Sequence, residues 1–392
     1  MTVTRAAATP ALLRRMNERT VLEAIRADSP VSRAEISRRV GISKPTVSTA
    51  LRSLLDSGLV RETQNRGDDG PSYGATFFEP VPEAALVLGL DMGARFLRGA
   101  VCDLSGELRA RQDIEVGGAH VRELLEAAGE LKGTLLAASE LSSGAIDGAV
   151  IGIPGIIDRR TGRAALAENV PGLDGLDIAV ELQRRLDVPV TVENDVNLAA
   201  LGEQWRGVGQ GVDDFVFLSV GTGLGAGLVL RGELHRGHHG SAGEVDYAIE
   251  GVDPAAPAIS DYAAALAAEG RHATELAPPF DVRAVFGAAR AGDALGRAVV
   301  DEEARRIALH VAPIAAVADV ALVVVGGGIG ANGDLLLQPV REQLAKLLPY
   351  PPQVQVSSLG DAAVLTGTLA VGLRAALDSV FVKSAERVSR SA

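Results

Sequence analysis

Two stretches far apart in the chain read alike, and that repetition constrains the fold more than any other feature. "ALVLGLDMGARFLRGAVCDLSGEL" (85 to 108) and "DFVFLSVGTGLGAGLVLRGELHRG" (214 to 237) each run along an apolar strand, turn at a cluster of small residues, and return on a second apolar strand to Gly-Glu-Leu. The turns fall at Asp91 to Ala94 and at Gly221 to Gly227. Such a repeat predicts two homologous lobes. Glycine at these turns lets backbone N–H groups come close to phosphate oxygens, and a carboxylate at a strand end can hold a metal or its waters. Any tight hairpin also favours glycine, so the weight rests on the pair together with the late "VVVGGGIG" (323 to 330).

The amino-terminal segment has a different character. Residues 1 to 66 carry twelve Lys or Arg against six Asp or Glu, a balance of +6; with −12 for the whole chain, the remainder carries −18. A basic head on an acidic body is the footprint of a nucleic-acid reader. Within "TVLEAIRADSPVSRAEISRRVGISKPTVSTALRSLLDSGLVRE" (20 to 62) three short helical patterns alternate with turn signals. Ser32 and Glu35 have capping-box spacing, Gly41 ends the second helix, and Ser43 caps a third in which Pro45 sits harmlessly in the first turn. Val47, Leu51 and Leu54 form its buried stripe, leaving Lys44, Thr46, Ser48, Thr49 and Arg52 on the outer face. That is the pattern of a helix-turn-helix whose second helix enters a major groove. "LVRETQNRGDDGPSYGATFFEP" (59 to 80) predicts two strands around a Gly-rich tip, a wing; the competing reading is a small helical docking domain. Pro80 and Pro82 predict a linker to the body.

At 392 residues the chain can build two or three cored domains, and no apolar run approaches the roughly 20 residues of a membrane span. Its one cysteine, Cys102, excludes a disulfide framework and a cysteine-based zinc site, and in an apolar strand it reads as core rather than redox-active. Neither export nor anchoring is expected, which makes the cytoplasm the default. Trp205 falls on the helix expected after residue 197 and reads as packing.

The helix-turn-helix, "LDMGA", "GIPGIID" (152 to 158), "ENVPGL" (168 to 173), "ENDVNLAALGE" (193 to 203), "SVGTGLGAGLVLRGELHRG", "AGEVDY" (242 to 247), "VVVGGGIG" and "LGDAAVLTGTLA" (359 to 370) together resemble the ROK family of sugar kinases and sugar-responsive repressors, over nearly the whole chain. The winged head resembles the repressor branch, which includes xylose and N-acetylglucosamine repressors. The resemblance implies an α/β fold: a winged helix-turn-helix (1–80), then a two-lobed actin-like ATPase body of hexokinase type, ribonuclease H-like. Its first lobe would span 85–197, completed by carboxy-terminal helices near 362–380, and its second 198–361. It also implies roles. The aspartate matching Asp195 is the base position of the kinases, Asn194 and Glu244 contact sugar hydroxyls, and Asn169 lies in a further loop near the sugar. Nucleotide contacts would come from Asp91, Gly93, Gly221, Thr222 and Gly223.

Two departures redirect that chemistry. Where the kinases read Asp-x-Gly-Gly-Thr, this chain reads Asp91-Met92-Gly93-Ala94-Arg95, replacing a small hydroxyl donor by an arginine that points to solvent or into the nucleotide space. The family's zinc-binding histidine and cysteines are absent from Glu244-Val245-Asp246-Tyr247 and the segment after it, and its next sugar-contacting glutamate is replaced near Ser260. His235, His238 and His239 have no standard metal spacing and read as a solvated turn. Asp195 is therefore expected to bind a ligand rather than to take its proton, with no zinc and no ATP as cofactor. The expected partners are a double-stranded DNA operator, a sugar or sugar-derivative effector, and a second copy of the chain in a homodimer or higher homo-oligomer. A working sugar kinase, an unresponsive repressor and a protein-docking module are the rival readings.

Overall fold

The computed structural model describes residues 10–64, 76–142, 144–167, 169–221, 223–245 and 258–390. The head contains α1 (Pro10–Ala27), β1 (Val31–Ser32), α2 (Arg33–Val40), α3 (Lys44–Asp56), β2 (Val60–Thr63) and β3 (Phe77–Pro80). The Ser32 hydroxyl accepts the Glu35 N–H while the Glu35 carboxylate accepts the Ser32 N–H, so α2 starts on a complete capping box; Gly41, at φ 66°, stops it. Ser43 caps α3 through the Thr46 N–H. Val47, Ala50, Leu51 and Leu54 are buried, and the larger of them each contribute about 1.5–3 kcal/mol. The two wing strands pair antiparallel as expected, with Val60 opposite Pro80, and the Gly-rich tip lies outside the described residues.

Three expectations need correction here. The first helix begins at Pro10, well before the helical pattern read from residue 20, because its early turns leave Leu12, Leu13 and Met16 about half exposed and so carry no buried stripe. The stretch after Pro80 is not a free linker. A 3₁₀ turn over Pro82–Ala84 leads into a fully buried Ala85, the Val81 N–H bonds the Leu59 carbonyl, and the Leu104 N–H bonds that of Pro82. One apolar cluster runs from Val21, Leu22 and Ile25 of the head to Val87, Cys102 and Leu369 of the body, and Arg19 pairs with Asp378 at 3.1 Å. Finally, Gly360–Val380 does have the length and apolar composition of a membrane span. Its buried face, Leu365, Leu369, Leu373 and Leu377, is spent on that same cluster, as in a core helix of a globular body.

The body carries the duplication. Its first sheet comprises β4 (Leu86–Met92), β5 (Phe96–Asp103), β6 (Leu108–Glu115), β7 (Gly148–Ile153) and β10 (Val190–Asn194), in the order β10-β7-β4-β5-β6. A small β8 (Ile156–Ile157) and β9 (Ala164–Ala165) form a separate hairpin, while α4 (Val121–Ala138) and α5 (Ile178–Leu186) cover one face. The helix α6 (Asp195–Arg206) follows β10 directly. The second sheet comprises β11 (Phe215–Val220), β12 (Leu224–Leu230), β13 (Glu233–Leu234), β14 (Leu322–Gly326) and β15 (Gln353–Val356), in the order β13-β12-β11-β14-β15. Before β14 come α7 (Ile259–Glu269), α8 (Val282–Ala291) and α9 (Ala294–Ala318); after it come α10 (Gly327–Gly330), α11 (Gly333–Leu347) and finally α12 (Ala363–Arg390). Each sheet is thus three antiparallel strands extended by two parallel ones. In each, the parallel strands end on one edge, where α/β folds place their ligands.

Candidate functional site

The strand ends of the two lobes face a cleft of about 1350 Å³. Asn194, Asp195, Glu244 and Asn169 all line it, so the four residues expected near a sugar are brought together. The strand-to-helix junction explains two of them. Asn194 caps α6 by accepting the Asn197 N–H at 2.9 Å, and its own Nδ2 donates to the Gly155 carbonyl at 2.9 Å. That fixes the junction and presents Asp195, the first helical residue, to the cleft. Glu244 is set by Gly243, whose φ of 97° and packing against the Ala226 carbonyl leave no room for a side chain.

Desolvation pushes the Asp195 carboxyl up to about 7, assisted by the nearby charges of Asp91 and Glu244 and opposed by the N–H of Val196, which donates to it at 2.8 Å. Near neutral pH this group therefore switches between an acceptor-only carboxylate and an acid that can donate, and either form can hold a hydroxyl.

The residues expected at a nucleotide fall into two sets. Gly221 and Gly223 line the cleft, while Thr222 lies outside the described residues. Asp91 is buried and not among the lining residues, and Gly93 closes the turn by donating its N–H to the Phe96 carbonyl at 2.9 Å. Arg95 does line the cleft, with a largely exposed side chain that reaches Glu115 at 3.2 Å. The decisive contact belongs to Arg98. Strand register places it directly opposite Asp91, and its guanidinium meets that carboxylate at 3.0 Å and Asp113 at 3.6 Å. Burial still pushes Asp91 up to about 6, against the pull of Arg98.

Sequence reading missed Arg98, although counting across the turn puts residues 91 and 98 face to face. It also missed the polar face that α9 turns to the cleft, Glu303, Arg306 and His310, spaced three and four residues apart. Burial pushes the Glu303 carboxyl upward, with Arg306 opposing. Arg283 and Arg290 of α8 add positive charge at the rim, Arg290 being tied to Asp334 at 2.6 Å. Ser260 lines the cleft at the start of α7. His235, His238 and His239 are exposed on the loop after β13, and among the described residues no three His, Cys, Asp or Glu side chains gather as a metal would require.

On the head, Lys44, Thr49 and Arg52 are exposed on the outer face of α3. Thr46 and Ser48 are half-buried and tied locally, Thr46 to the Ser43 hydroxyl at 2.8 Å and Ser48 to the Arg33 guanidinium at 3.2 Å.

The architecture and its parts have counterparts among known proteins. The ROK family profile matches residues 87–374, and a profile of winged helix-turn-helix DNA-binding domains matches residues 17–61. A xylose repressor of Caldicellulosiruptor bescii is 27% identical over 384 residues, covering 92% of this chain and 96% of the relative. A glucokinase of Halalkalibacterium halodurans is 30% identical over 310 residues, 71% of this chain and 93% of its own. Among solved structures, a ROK family transcriptional regulator homologous to the MLC protein of E. coli superposes with a TM-score of 0.75 over 95% of this chain and 98% of that one, at 21% identity. A ROK glucokinase from Streptomyces griseus, in complex with glucose and AMPPNP, gives 0.61 over 73% and 99%, at 25% identity.

Proposed function

Because the chain belongs to the ROK family and carries a winged helix-turn-helix ahead of the family body, we propose that it is a DNA-binding transcriptional regulator, a repressor of carbohydrate-metabolism genes that is released from its operator by a sugar or sugar derivative. The observation that carries this reading is the similarity to a xylose repressor across head and body together. The exposed Lys44, Thr49 and Arg52 suit phosphate and base-edge contacts, and the cleft supplies Asn194, Asp195 and Glu244 for hydroxyls. Two heads in a homodimer or higher homo-oligomer read half-sites about one helical turn apart or a multiple of it, so a sugar that shifts the closed population of the lobes changes the fit of both heads at once.

Fluorescence anisotropy of DNA from the gene's own upstream region, titrated with free sugars and sugar phosphates, tests the reading. Tight binding released by one compound is expected; tight binding released by none overturns the sensing half. Lys44→Ala and Arg52→Ala should each lower the slope of log K against log salt by about 1. Unchanged slopes would move the DNA surface away from α3. No zinc enters this reading, because the segment after Glu244 has none of the family's cysteines. Chelators should accordingly leave the melting temperature where it is, and a drop would reveal a metal.

The glucokinase relative favours a second reading, a working sugar kinase that also binds DNA. A carboxyl near 7 would suit a general base. Against it stands Arg98, whose cation is already seated on the carboxylate expected at the metal and phosphates. ADP release with D-glucose or D-xylose would reinstate the enzyme.

A further inference from the structure

The histidine-rich loop after β13 has a part in the cleft that neither its sequence nor the proposed function assigns. It leaves the second lobe and lies against the first. Arg159, beyond β8, donates its Nη1 to the Gly237 carbonyl at 3.1 Å and its backbone N–H to that of His239 at 3.5 Å. Gly240 packs so closely on β8 that a side chain there would come within 2.6 Å of the Ile157 carbonyl. Between these contacts, Arg236 reaches the end of β10 and places its Nε 2.5 Å from Glu193 Oε2.

Glu193 is the residue before Asn194, and its second oxygen is occupied by that junction. Oε1 accepts the Asn194 N–H at 3.1 Å and the Asn197 Nδ2 at 3.0 Å, while the Asn197 N–H is held by the Asn194 side chain. One carboxylate therefore ties an arginine of the second lobe to the first turn of α6, the turn that presents Asp195. We infer that Arg236 is a positioning residue for ligand recognition: paired with Glu193 across the lobes, it holds the β10–α6 junction in the geometry from which Asn194 and Asp195 meet a sugar.

The physical reason is the cost of the alternative. The Glu193 side chain is only 12% exposed, and the neutral amide donors at Oε1 do not offset a desolvated charge; the guanidinium does. Without Arg236 the Oε2 oxygen loses its charged partner and the side chain swings toward water, releasing the Asn194 N–H and the Asn197 amide. That loosens the turn without touching the α3 surface of the head.

The inference rests on the sugar-sensing reading, so the test carries one readout that needs no sugar. In the full chain, Arg236→Ala should weaken calorimetric binding of D-xylose or D-glucose, whichever the parent binds, by about tenfold or more, with operator affinity unchanged. Arg236→Lys keeps the charge and should recover part of the loss. In a Glu193→Gln background, Arg236→Ala should cost nothing further, which a merely structural arginine would not show. Hydrogen exchange of the amides of residues 194–198, measured without sugar, should be faster in Arg236→Ala and near normal in Arg236→Lys. Unchanged sugar affinity or unchanged exchange overturns the inference. Should the parent bind neither sugar, the sensing reading suffers while exchange still decides the role of Arg236. If Arg236→Ala fails to fold, Glu193→Ala, which removes the group that joins Arg236 to the turn, supplies the same exchange comparison, and an unaltered junction there is equally fatal.

Discussion

The two glycine-turn hairpins share a topology and differ at their tips. Between β4 and β5 the turn carries Ala94 and Arg95, and the ladder sets Arg98 opposite Asp91, so the carboxylate near the strand end already has its counter-charge. Between β11 and β12, Gly221 and Gly223 line the cleft beside Gly327 and Gly328. The two edges are equivalent in topology, and among the described residues only the first has an ion pair seated at its turn. Phosphoryl transfer needs a nucleotide's phosphates and their metal positioned from both sides, whereas recognition of a hydroxylated ligand needs only the acceptors around Asp195. On the proposed function, this difference between the tips is what sets a sensor apart from a kinase without altering the fold.

The largest test of that contrast is Arg98→Ala. Both partners of the Arg98–Asp91 pair are largely buried, so stranding the carboxylate should cost about 3 kcal/mol in denaturant unfolding at pH 8. The sign of the pH dependence follows from Asp91, which titrates at about 6: below that value it carries a proton and has little to lose. The deficit should therefore shrink toward pH 5, and Asp91→Asn combined with Arg98→Ala should regain most of it at pH 8. A variant as stable as the parent at both pH values would mean that the first tip is as open as the second.

A smaller effect is expected at the open tip. Gly327 sits at φ 80° with the Val220 carbonyl where a side chain would go, so Gly327→Ala should cost about 1–3 kcal/mol. Gly223 has no such φ, and among the described residues nothing lies within 4 Å of the added methyl, so Gly223→Ala should stay within about 0.5 kcal/mol. Equal costs, measured by the same unfolding curves, would show that the second turn is uniformly rigid rather than a strained hinge beside a tolerant loop.

What could be read in advance follows the range of the interactions. The capping box at Ser32 and Glu35, the stripe on α3 and the repeated hairpins are written within a few neighbouring residues, and local rules reach them. Arg98 was within reach too, given the register of a hairpin. β1 was not: two residues become a strand only by pairing with β3, far along the chain. Nor was the union of head and body, which depends on α12 returning to cover the first sheet beside α1. The Arg236–Glu193 pair joins residues from different lobes, and α9 is buried along several faces, so its sequence does not say which one meets the cleft. Asp195 and its neighbours stood out because their chemistry is concentrated in a few positions; the residues that support them are scattered.

The smallest effect bears on Asp195, which belongs to neither tip but lies between them. If it recognises hydroxyls as a carboxylate, its titration near 7 makes affinity rise with pH, since about a tenth of the protein is ionised at pH 6 and about nine tenths at pH 8. Sugar affinity should increase by roughly that factor of ten across the interval and level off above it, with DNA binding measured alongside to remove the head's own response. Asp195→Asn should abolish the sugar response at every pH and leave operator binding intact. The same substitution should raise the melting temperature more at pH 8 than at pH 5. A carboxyl whose folded value lies above its unfolded one makes stability fall as pH rises from about 4 to about 7, and the amide removes that slope. A flat affinity profile in the parent would mean that the protonated acid binds as well as the carboxylate, and a falling one that Asp195 donates to the sugar instead of accepting from it.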